Sequence, residues 1–147
     1  TNNPIAAGLD NYLYTHEYGL DDGSTTPASA ITSYVESSQL DIGEGDKFVF
    51  IRRLVPDVTF DGSTASSPSA AFTVKTRNFP GGAYLESNAS TVTQSAAATT
   101  TTVEQFTDQV HIRLRGRAFA LKVGSTDTEV QWRLGSPRVD IREDGRR

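Results

Sequence analysis

VHIRLRGRAFALKVGS, residues 110–125, is the stretch on which the fold turns. Val110, Ile112 and Leu114 alternate with His111, Arg113 and Arg115. Alternation at period two marks a strand with one face buried and the other in water. Beyond Gly116 the phase moves by one residue, and Phe119, Leu121 and Val123 become the apolar set. A one-residue shift at a glycine predicts a β-bulge, or a bend that carries the chain from one sheet to another.

Downstream, VQWRLGSPRVDIREDGRR (130–147) continues the pattern. Val130, Trp132 and Leu134 alternate with Gln131 and Arg133. After the Gly135-Ser136-Pro137 corner, Val139 and Ile141 alternate with Arg138, Asp140 and Arg142. Trp132, Leu134, Val139 and Ile141 are therefore expected in the core, with Trp132 as the chief anchor. GSTDTE (124–129) reads as a short hairpin connection between the two blocks.

Upstream, AAFTVKTRNF (70–79) points Phe72 and Val74 inward and Thr73, Lys75 and Arg77 outward. In KFVFIRRLVPDVTF (47–60) the reading places Phe48 and Phe50 in the core and puts Leu54, Val58 and Phe60 on one face. Pro56 has no N–H to give a ladder, so an edge or a bulge is expected there. ITSYVESSQLDIG (31–43) supplies one strand or two short ones, and LDNYLYTHEY (9–18) sets Tyr12, Tyr14, His16 and Tyr18 on one face. Asp22-Gly23, IGEGD (42–46) and Pro80-Gly81-Gly82 are turn signals, and DGSTASSPSA (61–70) reads as a surface loop. ESNASTVTQSAAATTTT (86–102) is too small and polar to build a core, and reads as a long excursion with extended character from its threonines. Helical periodicity is nearly missing, and no repeat of fixed period occurs. The expectation is one all-β domain over residues 1–147. It is an antiparallel sandwich, immunoglobulin-like or jelly-roll-like, of six to eight strands with long Ser/Thr-rich loops.

A chain of 147 residues suits one domain with its own core. Cysteine is absent, which excludes disulfides and thiolate metal sites. No run approaches the ~20 apolar residues of a membrane-spanning helix. Methionine is also absent, position 1 included, and the chain is expected to be the C-terminal part of a longer polypeptide. Charge is uneven: residues 1–109 carry 5 basic and 13 acidic side chains, whereas residues 110–147 carry 9 basic and 5 acidic. Such asymmetry fits a nucleic-acid surface, a head-to-tail protein contact, or a solvated dipolar surface.

Catalytic chemistry is hard to find. His16 and His111 are the only imidazoles, one in the tyrosine row and one on a polar strand face. No nucleophile elbow, zinc-binding His-Glu pair, phosphate-binding glycine loop or EF-hand loop occurs. Asp21-Asp22 and the Asp41, Glu44, Asp46 group are explained by turns more simply than by calcium. Asn88-Ala89-Ser90 matches a glycosylation triplet, which carries meaning only in a secreted chain. No enzyme, metal or cofactor is expected. The tyrosine row is similar to sugar-stacking faces of β-sandwiches, although cross-strand packing explains it more simply. Arg113, Arg115 and Arg117 alternate so as to meet phosphates, but aromatic interleaving for base stacking is lacking on that face and the chain as a whole is acidic.

RLRGRAFALKV (113–123) followed by VQWRLGSPRVDIREDGRR resembles the C-terminal end of nozzle-type or "stabilisation" tail proteins of short-tailed bacteriophages. The shared elements are the Gly-Arg strand, a short polar turn, Trp132-Arg133-Leu134-Gly135 and the closing Asp144-Gly145-Arg146-Arg147. YLYTHEYGLDDGS (12–24) and DKFVFIRRLVPDVTF (46–60) look like segments of the same kind of protein, so the resemblance covers about half the chain. Those proteins are several hundred residues long and carry further β-rich domains, which this chain does not span. The resemblance implies a non-catalytic virion structural protein in the phage tail. Its copies would form a ring, commonly sixfold, around the DNA exit path. Its partners would be itself, an adaptor or a tail fibre, with non-specific contact to DNA in transit. Arg113, Arg115, Arg117, Arg133, Arg138 and Arg142 are the candidates to face a neighbour or the channel. The alternative expectation is a carbohydrate-binding sandwich module using Tyr12, Tyr14 and Tyr18.

Overall fold

The computed structural model describes residues 3–41, 46–79 and 98–145. The strands are β1 (Ile5–Ala7), β2 (Leu13–Thr15), β3 (Asp21–Asp22), β4 (Ser29–Ala30), β5 (Ser33–Glu36), β6 (Leu40–Asp41), β7 (Val49–Val55), β8 (Val58–Thr59), β9 (Ser69–Arg77), β10 (Ala98–Glu104), β11 (Val110–Gly116), β12 (Ala118–Ser125), β13 (Arg133–Leu134) and β14 (Arg138–Glu143). No helix occurs among the described residues, so none is long and apolar enough to cross a membrane.

Two antiparallel sheets form the body. One has the order β10-β9-β12-β5, with β6 also pairing β12, and the other has the order β11-β7-β14. The protein is all-β and sandwich-like. Ile51 and Leu54 of β7, Val110, Ile112 and Leu114 of β11, Phe72 and Val74 of β9, Val103 of β10, and Phe119 and Val123 of β12 meet in one buried cluster. Because β7 pairs with β11 in one sheet and β9 with β12 in the other, the chain interlocks the sheets as immunoglobulin-type sandwiches do.

The Gly116 phase shift is a change of sheet. β11 pairs with β7, and two residues later β12 pairs with β9. At the crossing the Arg117 N–H donates to the Arg77 carbonyl at 2.9 Å. A Cβ at position 116 would stand 2.7 Å from the Thr76 Cβ and 3.1 Å from the Arg77 oxygen, so glycine is required by close approach.

Several expectations are corrected. Val49 and Ile51 are buried, while Phe48 and Phe50 are only half-buried and face away from the core. The cause is a bulge: Arg53 opposes Asp140 and Ile51 opposes Ile141, which leaves Arg52 as an extra residue on β7. Counting back from Leu54 by twos reaches Phe50 and Phe48; with Arg52 inserted, it reaches Ile51 and Val49. Pro56 lies between β7 and β8, where it ends β7 and makes neither an edge nor a bulge. Trp132, Leu134, Val139 and Ile141 are half-buried and pack on the core from its margin. The segment expected as a strand over 130–134 is reduced to β13, which pairs with β8, and 124–129 is no hairpin because β12 and β13 do not pair. Ser63 holds this segment from both sides, accepting from the Gln131 N–H and donating to its carbonyl, each at 2.9 Å. The Trp132 indole donates to the Ser33 hydroxyl at 2.9 Å.

Lys75 is buried, contrary to its expected outward exposure. It sits opposite the fully buried Ala120 of β12 and reaches past that small residue to Glu36 of β5, at 3.2 Å. Phe72 and Phe119 are buried core anchors. The stretch 31–43 yields two short strands, β5 and β6, both on the edge of β12. The threonine-rich run ends in β10, where Thr100 and Thr73 hydroxyls lie 2.8 Å apart across the ladder. The rest of the long excursion, the Asn88 triplet, the Pro80-Gly81-Gly82 turn, most of the IGEGD turn with Glu44, and Arg146-Arg147 lie outside the described residues.

Candidate functional site

Alternation and two irregularities build a basic surface on the outer face of β11-β7-β14. Along β11, Val110, Ile112 and Leu114 are buried while His111, Arg113 and Arg115 are exposed. Across the sheet, His111 faces Arg53, which faces Asp140. Arg115 faces Phe50, which faces Arg142. The β7 bulge exposes Arg52 and Arg53 together, and a second register shift lies between His111 and Leu114. Six guanidiniums therefore share the face: Arg52, Arg53, Arg113, Arg115, Arg138 and Arg142.

Two carboxylates temper it. Asp140 lies 3.8 Å from Arg53, whose other guanidinium nitrogen donates to the Gln109 side-chain oxygen at 3.2 Å. Asp144 accepts from Arg115 Nε, and its carbonyl accepts from Arg115 Nη2 at 3.2 Å. Arg52, Arg113, Arg138 and Arg142 form no ion pair among the described residues. Concentrated like charge of this kind raises the local concentration of anions at the surface.

Aromatic rings do interleave with these arginines, against the expectation from sequence. The Arg115 guanidinium sits 4.0 Å from the Phe48 ring centre, and the Arg117 guanidinium 4.8 Å. Both distances suit cation–π attraction. Phe50 lies between Arg115 and Arg142. The two phenylalanines cover the face rather than fill the core.

The six arginine candidates separate. Arg113, Arg115, Arg138 and Arg142 come together on one face, Arg117 sits half-buried at the sheet crossing, and Arg133 lies on β13, in a different small sheet. Sequence reading missed Arg52 and Arg53. Their signal is the adjacent pair inside an apolar run, which a period-two strand cannot place on one face without a bulge.

A second surface is an open depression of about 830 Å³ lined by Tyr14, His16, Tyr18, Asp21, Asp22 and Ile31, among others. Tyr12 and Tyr18 are exposed at 69% and 77%, whereas Tyr14 between them is half-buried, so two of the three rings of the row are open to solvent. Of the carboxylates lining the depression, Asp22 serves a local turn while Asp21 ties the segment to a distant part of the chain. Asp21 accepts from the Glu129 N–H at 2.6 Å and Asp22 from the Ser24 N–H at 2.9 Å. The Ser24 contacts hold the Asp22 carboxyl below its ordinary pKa. The Tyr14 hydroxyl donates to Asp10, which lowers the Asp10 pKa and raises that of Tyr14. Among the described residues no group of three or more His, Asp or Glu is placed to hold a metal ion.

A third feature is an apolar groove of about 300 Å³ along one open side of the sandwich. Val35 and Leu40 border it from β5 and β6, Leu121 from β12, and Leu134, Pro137 and Val139 from the β13-β14 side.

No protein-family model matches the chain, and no curated protein matches it in sequence.

Proposed function

We propose that this chain is a non-catalytic structural domain of a short bacteriophage tail, present in the virion as one subunit of a ring around the DNA exit path. The observation that carries the reading is the outer face of β11-β7-β14, where four arginines that form no ion pair among the described residues stand on a chain that is acidic elsewhere. The resemblance of residues 113–147 to nozzle-type tail proteins supports the same reading. In a closed ring each contact joins two different surfaces, so a subunit with a basic face and an acidic remainder suits it. On this proposal the domain belongs to a longer tail protein, commonly six copies form the ring, and an adaptor and a tail fibre are its neighbours.

The test is charge reversal. Arg113→Glu with Arg138→Glu and Arg142→Glu leaves the buried positions untouched, and assembly should weaken by tenfold or more as judged by sedimentation. Intact rings in that variant would remove the face from the contact. If the wild-type chain instead retains DNA of any sequence, with affinity falling steeply as salt rises, the face lines the channel rather than the seam.

A second reading is a carbohydrate-binding module, favoured by the exposed Tyr18 that lines the open depression and by the exposed Tyr12 of the same tyrosine row. It predicts that a sugar panel perturbs tyrosine fluorescence and that Tyr18→Ala abolishes the effect. A flat response across the panel discards it.

A further inference from the structure

We propose that the β1-β2 hairpin of one copy docks into the apolar groove between β5-β6 and β14 of a second copy. The inference rests on the self-assembly reading above and adds which surfaces meet.

The hairpin is an arm without a core. Among the described residues β1 and β2 pair only with each other, in a three-residue ladder from Ile5–Thr15 to Ala7–Leu13. Isolated two-stranded hairpins are marginal in water. This one leaves its apolar side chains outside: Ile5 is 69% exposed, Leu13 77%, and Leu9 fully exposed. Clustered exposed apolar residues of this kind mark a surface made for a partner.

The groove has the complementary character. Its lining is apolar except for Ser37, and Val35 and Leu40 at its rim are themselves substantially exposed. Its volume suits a few side chains inserted from a neighbour rather than a whole strand. Charge selects the occupant. Residues 1–20, which hold the hairpin, carry two carboxylates, Asp10 and Glu17, and no lysine or arginine. Arg133 and Arg138, both exposed, flank the Leu134, Pro137 and Val139 wall of the groove. An arm that is apolar at Leu9 and Leu13 and acidic at Asp10 and Glu17 therefore fits this site in both respects. Arm and groove are different surfaces of one chain, so the contact is heterologous and repeats from copy to copy.

The chain has no cysteine, which allows a clean cross-linking test. Leu13→Cys and Leu40→Cys each change an exposed position. Mixing the two variants with a short bis-maleimide should give covalent dimers, and neither variant alone should. Leu9→Glu should weaken association about tenfold or more while circular dichroism stays native. Dimers from Leu13→Cys alone would show arm meeting arm and overturn the proposal. An oligomer by sedimentation with no cross-link in the mixture would overturn the arm contact and leave the ring reading standing. A monomer at every concentration would end both.

Discussion

Phe50 and Ile51 are neighbours with opposite duties, and the difference is measurable. Ile51 is fully buried in the cluster between the sheets, whereas Phe50 is half-buried on the arginine face. Ile51→Ala should cost about 2–5 kcal/mol of stability. Phe50→Ala should cost clearly less, although the ring is larger. Urea unfolding of both variants checks this, and equal losses would return Phe50 to the core. Gly116 admits a second prediction: Gly116→Ala must push on Thr76 and the Arg77 carbonyl, and should lower stability by about 1–3 kcal/mol. An unchanged midpoint would mean that the sheet crossing yields freely. The glycine was legible in the sequence because the apolar phase changes there. The Phe48 and Phe50 placement was not, because the adjacent phenylalanine, valine and isoleucine are all apolar and a single bulge inverts their faces.

At the scale of elements, β14 is the outermost strand of its sheet and covers β7. Deleting residues 138–147 would leave the β7 ladder open, and the truncated chain should aggregate. A soluble truncation with native-like circular dichroism would contradict the pairing. The β1-β2 arm should respond to pH at both extremes. The Asp10 pKa is lowered by the Tyr14 hydrogen bond, so its contribution is present above the usual carboxylate range and lost as acid protonates it. The Tyr14 pKa is raised by the same bond, so that contribution holds below the ordinary tyrosine value and is lost as alkali ionises the phenol. Arm order should thus be level between about pH 5 and 9, and ultraviolet titration should find a Tyr14 phenol that ionises late. Ordinary titration of Tyr14 would remove the bond. The core strands β9, β11 and β12 could be read from alternation alone, since each has one wet face or a clear phase. β13 could not, because its segment is held by Ser63, Asp57 and Ser33, contacts distant in sequence.

For the whole molecule, the charge split seen along the chain becomes a division in space only through β7. The arginines of β11 and β14 were visible as alternating residues, but β7 lies between those strands and its bulge adds two more. The face is therefore denser than either strand suggests. Sequence order also hides the groove, whose walls come from β5, β6, β12 and the β13-β14 corner. On the proposed reading, these are the surfaces through which copies of the chain would assemble. The most direct test is the native mass of the chain across concentration and salt. The account predicts a discrete oligomer of the 15.9 kDa chain that weakens with salt and with the Arg113, Arg138 and Arg142 reversals. A 15.9 kDa monomer throughout, unchanged by those substitutions, would contradict it.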